Sequence, residues 1–446
     1  MQNGRPRAAV GCRVSATRGS ACQAAHHWVE RVVVTPPVWH RLRTQDPAGC
    51  DARYSRDMSG CGRTTVVFDE TLTDYDFGPT HPMSPLRVDL TMRLARELDV
   101  VPTLVDAPMA DDELIGTIHS ASMIAAVKRM SQGTVDAEHG LGSDDNPTFD
   151  NMHQAAAHVV GATVEACRQV WTGESSHSAN IAGGLHHAMR DKASGFCIYN
   201  DVAVGIQWLL DQGATRVAYV DVDVHHGDGV EQIFADDPRV LTISLHETGQ
   251  MLFPGTGFAT DCGSGAAAGT VVNVALPPGT ADAGWLRAFH AVVPQVLREW
   301  KPEILVTQHG CDSHLEDPLA HLMLTVDGQR SAYLSLHDLA HEICDGRWVV
   351  TGGGGYAIVE VVPRAWTHLL GIVNGTPLDP ETETPPGWRE YVRNDLGRTP
   401  PLRLTDGREP VWRDWSEGYD PELWLDRAIL ATRQAVFPLH GLMVTD

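Results

Sequence analysis

Five side chains that can hold protons or metals crowd the end of one apolar run: Asp221, Asp223, His225, His226 and Asp228 in AYVDVDVHHGDGVEQIF. The run carries Val217, Val220, Val222 and Val224, β-branched residues that suit a pleated, half-buried surface. On a strand, Asp221, Asp223 and His225 stand two apart and point to one face. Like charges buried together are costly unless a cation neutralises them, so the spacing points to a metal ion with Asp223 and His225 as ligands. Asp312, which follows the apolar run EILVTQ (303–308), can converge on them from a neighbouring parallel strand. Two carboxylates and one neutral imidazole cancel the charge of a dication. They also leave a position for water, as in a catalytic zinc site. Such water is acidified, and a substrate carbonyl is polarised. Ferrous iron or cobalt suits the same donors, because affinity order alone does not choose the metal.

Two further motifs fit hydrolysis of an amide. LHHA (185–188) offers the adjacent imidazoles His186 and His187. Water attack on an amide needs a base for the water and an acid for the leaving amine, and histidine suits both. Each imidazole needs a carboxylate to fix its tautomer, and Asp221 and Asp228 are the spare carboxylates. GGGGY (352–356) makes a poor phosphate cradle, since no lysine follows and the P-loop pattern is absent. Its better use is close backbone approach and the presentation of Tyr356, whose hydroxyl can donate to a developing oxyanion.

Groups so far apart in sequence meet only where a fold gathers strand ends. Strands are expected at 64–68, 177–184 (running into a glycine turn), 216–224, 239–246, 303–308 and 348–355. Helices are expected at 149–170, 200–213, 284–300 and 328–344. In the first helix Met152, Ala156, Val159, Val160, Thr163, Val164 and Cys167 follow helical steps, and Gly213 is placed to end the second. The alternation predicts the α/β class, a three-layer α/β/α architecture around a central, mostly parallel sheet. Ligands in such sheets bind beyond the carboxyl ends of the strands, which is where the unusual residues lie.

The 446 residues, 43% hydrophobic and 20% charged, suit one large soluble domain with additions. No apolar run approaches the ~20 residues that span a bilayer. Nine cysteines without a C-x-x-C pair suggest a reducing, cytoplasmic setting. Residues 1–57 hold nine Arg, no Lys and four acids, which leaves a net −28 on the remainder. A body so acidic repels nucleic acid and suits cationic or lysine-bearing substrates. The expected organisation is an extension over 1–60, a catalytic domain over 61–375, and a Pro- and Trp-rich extension over 376–446 packed on the core. The first segment lacks apolar periodicity. It reads as a disordered arm, or as an upstream start with Met58 as the true one; a transit peptide or nucleic-acid arm is conceivable.

Several long motifs in one order carry a resemblance. GGLHHAMRDKASGFCIYNDVAV, YVDVDVHHGDGVEQIF, LFPGTG, QHGCDS and GGGGY are similar to the zinc-dependent histone deacetylase superfamily, within the arginase–deacetylase fold. FDETLTDYDFGPTHPMSPLRVDLTMRLA, GLGSDDNPTF and GGGGYAIVEVVPRAWTHLL resemble its bacterial acetoin-utilisation branch. The match covers residues 64–375. It implies Asp223, His225 and Asp312 as zinc ligands and His186 and His187 as the catalytic pair, with His187 nearer the water. Asp221 would partner His186, Asp228 would partner His187, and Tyr356 would be the oxyanion donor. The resemblance also implies Phe196 and Phe253 as walls of an acyl-lysine channel lined by Gly195 and Gly354, and Asp145 as a rim carboxylate for substrate amides. It implies potassium at Asp221 and Ser244 with the carbonyls of Asp223, His225 and Leu245. The implied reaction is removal of acetyl, or another short acyl group, from lysine ε-amines of a protein or peptide such as acetyl-CoA synthetase. No nucleic-acid or membrane partner is implied. Leu185 stands where many eukaryotic relatives carry an aromatic, and Leu252 precedes Phe253 where some carry a second Phe. Acetylpolyamine amidohydrolases share this core. An arginase-type centre wants acids where Gly227 and His314 stand, and a non-catalytic acetyl-lysine binding protein has no use for two His–Asp pairs.

Overall fold

The computed structural model describes residues 62–130 and 136–445; the expectations for residues 1–60 lie outside the described residues. Eight strands form one sheet: β1 (Thr64–Val67), β2 (Thr103–Val105), β3 (His177–Asn180), β4 (Val217–Asp221), β5 (Val240–Glu247), β6 (Val271–Leu276), β7 (Ile304–Gln308) and β8 (Trp348–Thr351). Their order is β2-β1-β3-β8-β7-β4-β5-β6. Every pairing is parallel, so the sheet is more uniform than expected. All residues of β1, β3, β4, β5, β7 and β8 are buried. Strands buried on both faces require a covering layer on each side, which gives the three-layer α/β/α architecture.

The covering helices are α1 (Leu86–Glu97), α2 (Ala121–Met130), α3 (Met152–Trp171), α4 (Asp201–Asp211), α5 (Asp228–Phe234), α6 (Asp282–Trp300), α7 (Val326–Ile343), α8 (Val362–Val373), α9 (Pro386–Asn394) and α10 (Trp424–Val436). The apolar steps of α3 are all buried, from Met152 through Cys167. Two starts are fixed by caps: Asn200 accepts from the Ala203 amide and Thr325 from the Gly328 amide. Helices α6 and α7 each begin two residues before the sequence boundary. β2, β6, α1, α2, α5, α8, α9 and α10 are not anticipated by the sequence reading. β2 has only three residues and is largely exposed, so it lacks an apolar signature. No helix among the described residues is long and apolar enough to cross a membrane.

The chain after residue 375 lies on this body through specific contacts. Trp388 is buried, and its indole N–H donates to the Leu90 carbonyl of α1 at 3.0 Å. Helix α10 covers the edge strand β6, where Thr432 donates to the Asn273 carbonyl at 2.6 Å; covering an edge removes a template for aberrant pairing. Trp415 is buried between the guanidinium groups of Arg287 and Arg433, at 5.0 and 5.2 Å. Trp412 stacks on His290 at 4.4 Å, whereas Trp424 stays 43% exposed.

Arg287 of α6 and Asp426 of α10 form a two-pronged ion pair at 2.8 and 2.9 Å, with both side chains buried. Removing one partner of such a pair leaves an uncompensated buried charge. Asp426→Ala is therefore expected to lower unfolding stability by about 3–5 kcal/mol, read from urea titrations. A loss below about 1 kcal/mol would mean that α10 is not anchored by this pair.

Candidate active site

The sequence reading placed Asp221, Asp223 and His225 on one face of a single strand. That is corrected here: β4 ends at Asp221. Asp221 Oδ1 accepts the Asp223 amide at 3.1 Å, and Asp223 Oδ1 accepts the His225 amide at 2.9 Å. Two successive side-chain-to-backbone bonds replace the ladder and turn the chain. The strands expected over 177–184 and 348–355 likewise stop at Asn180 and Thr351. The residues beyond them curl over the sheet's carboxyl end.

These turns gather the expected ligands. His225 Nδ1 stands 3.1 Å from Asp223 Oδ1 and 3.0 Å from Asp312 Oδ2, and all three residues are buried. Asp223 Oδ2 accepts from Gln308 Nε2 and from the Gly354 amide, both at 2.8 Å. Asp312 Oδ1 accepts the Val224 amide at 2.9 Å. A Cβ on Gly354 would overlap both carboxylates, so only glycine allows this approach. Burial and the Asp223 charge push Asp312 up to about 7. Burial opposes charge on His225, but its bonds to Asp223 and Asp312 outweigh it and push the ring up to about 10. Two carboxylates that compete for one proton-bearing ring make a cation-seeking donor set. Oxygen, oxygen and imidazole nitrogen suit zinc or ferrous iron.

Beside this cluster stand the two histidines. His186 Nδ1 lies 2.7 Å from Asp221 Oδ2, and His187 Nδ1 lies 2.7 Å from Asp228 Oδ1. Carboxylates accept, so each Nδ1 carries a proton and each Nε2 is left for chemistry. The two Nε2 atoms face each other at 3.1 Å. Their environments differ. Burial opposes charge on His186, but the carboxylates of Asp221 and Asp223 push it up to about 9. Burial and the neighbouring His186 charge lower His187. His226, the other histidine of the stretch, bonds Glu231 and Thr256 and does not join this pair.

A narrow pocket leads to these groups. Leu185, His186, His187, Gly195, Asp223, His225, Gly354 and Tyr356 line it, with Met83 and Cys197, which the sequence reading missed. Burial and the charges of Asp312 and Asp223 hold the Tyr356 hydroxyl well above its usual range, so it stays a donor. The Tyr356 backbone is fixed by its N–H, which donates to Asp317 Oδ2 at 2.8 Å. Phe196 meets Tyr356 edge-on at 5.7 Å, and Phe253 meets His187 edge-on at 5.0 Å. Gly195 and Phe196 both adopt positive φ, +53° and +67°. A Cβ on Gly195 would run into the His187 ring. Tyr75 pins this strained turn, donating to the Phe196 carbonyl and accepting from the Ile198 amide at 2.8 and 3.0 Å. Asp145 Oδ2 accepts from the Gly195 amide and from Asn146, which braces the turn.

Three supporting residues escaped the sequence reading. Gln308 holds Asp223, Tyr219 donates to Asp221 at 2.6 Å, and buried Arg87 donates to the Gly353 carbonyl at 2.7 Å. Gln308 lies inside QHGCDS, so its place at a strand end was the available signal. Asp221 and Ser244 are register partners across β4 and β5, and Leu245 follows, buried. His246 Nε2 donates to the Gly257 carbonyl at 2.8 Å, so its Nδ1 accepts from the Ser244 hydroxyl at 2.8 Å. The Ser244 oxygen lone pairs then remain for a cation.

An all-parallel α/β sheet with a buried carboxylate–imidazole cluster and two His–Asp pairs at its carboxyl end defines an amide-hydrolase class of site. The chain belongs to the histone deacetylase family: the histone deacetylase domain matches residues 81–373. Within the family it is similar to the acetoin utilization protein AcuC. It is 40% identical over 331 residues to that of Bacillus subtilis, covering 73% of this chain and 85% of the relative. It is 34% identical over 360 residues to that of Staphylococcus xylosus, covering 79% and 93%. The crystal structure of an HDAC homolog from Aquifex aeolicus superposes with a TM-score of 0.72 at 26% identity, covering 83% of this chain and all of that one. The fold is thus the expected arginase–deacetylase fold.

Gly354→Ala is expected to weaken metal retention about 10–100-fold, because it displaces both carboxylates and a bond that orients one of them. Competition with a chromogenic chelator measures this. An unchanged affinity would take metal binding away from Asp223 and Asp312.

Proposed function

We propose that this deacetylase-family hydrolase cleaves the acetyl amide of lysine ε-amines in peptides or proteins, with acetyl-CoA synthetase as the candidate protein substrate. The observation that carries this reading is the pair of facing His–Asp dyads beside the Asp223–His225–Asp312 cluster, at the end of a narrow, mostly apolar pocket. Zinc or ferrous iron held by those three residues would supply the Lewis acidity that polarises an acyl carbonyl and acidifies water.

The chain's own groups divide the remaining work. Asp228 holds His187 in the tautomer whose Nε2 accepts a proton from water. His187, lowered by burial and by its neighbour, is the ring free to do so. His186, held up by Asp221, keeps charge nearby and supplies the acid side of the pair for the departing lysine amine. Tyr356 donates to the acyl oxygen as that atom gains charge. Phe196 and Phe253 flank a methylene chain, with Gly195 and Gly354 leaving room for it and for the acetyl carbonyl. Asp145 accepts from backbone amides of a peptide at the rim. Potassium is the proposed occupant at Asp221 and Ser244 with the Asp223, His225 and Leu245 carbonyls, where it would offset the carboxylates behind the dyads.

Tyr356→Phe should lower kcat by roughly 10²–10³ with little change in KM, since the hydroxyl acts on developing charge. Unchanged kcat with a tenfold rise in KM would make Tyr356 a binding residue instead.

The substrate class is tested by comparing an acetyl-lysine peptide with N-acetylputrescine, which has no peptide amides. The peptide should give the higher kcat/KM. Asp145→Ala should reduce that preference about 5–150-fold, the equivalent of ~1–3 kcal/mol for an amide left unpaired. A tenfold preference for acetylputrescine, unmoved by Asp145→Ala, would replace the protein substrate by a polyamine.

A further inference from the structure

A second group of potential metal ligands lies at the opposite end of the sheet. His177 opens β3 in register with Trp348 at the start of β8, whereas the catalytic groups follow the carboxyl ends of the strands. His337 and His341 stand four apart on α7, so one helix face presents both. The three rings form a triangle with centroids 5.1, 5.0 and 4.6 Å apart. Each offers one nitrogen within 4.8 Å of the others.

Three features of this triangle suit a metal rather than simple packing. First, Nε2 of His177 and Nε2 of His341 are 3.1 Å apart, joined by an N–H···N hydrogen bond that a metal would replace. Two zinc–nitrogen bonds of about 2.0–2.1 Å at a tetrahedral angle would set them about 3.3 Å apart. Second, His177 Nδ1 donates to the Val373 carbonyl at 2.8 Å. That bond fixes the tautomer and aims the Nε2 lone pair at His341, as outer acceptors orient metal-binding histidines. Third, His337 is only 3% exposed, and neither of its ring nitrogens has a hydrogen-bond partner, the Asp338 carboxylate standing 3.6 Å from Nδ1. A buried imidazole without a hydrogen bond is costly, and coordination would satisfy one nitrogen. Burial also lowers His177 to about 3 and lowers His341, which keeps both rings in the neutral form that metals require.

We propose that His177, His337 and His341 bind a second divalent transition metal of the zinc class, with half-exposed His341 leaving a fourth position for water. Three imidazoles and no carboxylate disfavour magnesium and calcium. The ion would tie β3 to α7 and, through the Val373 carbonyl, to the end of α8. It would be a structural clamp, separate from the catalytic cluster.

The test is metal stoichiometry on the full chain. Protein stripped with chelator is dialysed against cobalt(II), and bound metal is measured by mass spectrometry. Wild type should hold one equivalent more than His341→Ala, while the variant, reloaded with metal, keeps deacetylase turnover within about twofold. His337→Phe, which fills the buried space without a donor, should lose the same equivalent. Cobalt should also raise the melting temperature of wild type more than that of either variant. Equal stoichiometry in wild type and both variants would overturn the site and leave the three rings as packing. Because the readout is a difference between chains, it stands whatever becomes of the proposed substrate.

Discussion

Asp223 and Asp312 bring two carboxylates against one imidazole in a water-poor pocket floor, and much of the surrounding structure serves to hold them there. Like charges at such range repel strongly in a low dielectric. The protein answers with donors: the amides of Val224, His225 and Gly354 and the side-chain amide of Gln308 all point at these oxygens. Those donors belong to the segment after β4, to β7 and to the glycine run after β8. Three strand ends are therefore pinned to one pair of acids. The upward push on Asp312 and on His225 marks the charge that these donors leave unbalanced.

Register makes this convergence possible. Asn180, Thr351, Gln308, Asp221, Ser244 and Asn273 are successive partners across β3, β8, β7, β4, β5 and β6. They form one polar row across six strands of the sheet. Because side chains alternate along a strand, a slip of one residue would turn a member of this row to the other face. Asp221 sits at the centre of the row. It serves His186, Tyr219 and the Asp223 amide at once, so the turn after β4 and the histidine tautomer are settled by the same side chain.

Much of this is legible in the sequence, apart from the way the ligands converge. Asp223, His225 and Asp312 stood out because charged residues ended apolar runs. They meet through side-chain turns after β4, not through the pleat, and a turn made by Asp221 and Asp223 looks like continued alternation on the page. Gln308 and Arg87 give no signal as residue types, because their work depends on partners 85 and 266 positions away; Met83 gives none because only the fold brings it to the pocket. The short strand β2 hides because neither face is fully buried. His177 was read only as the start of a strand, since nothing in sequence ties it to α7.

The Gly195–Phe196 turn carries a consequence for how the pocket meets a guest. Its left-handed backbone is bolted by Tyr75 and braced by Asp145. Gly195 lines the pocket against the His187 ring. That stretch of wall is therefore set before any ligand arrives, and no cost of ordering falls on it at binding.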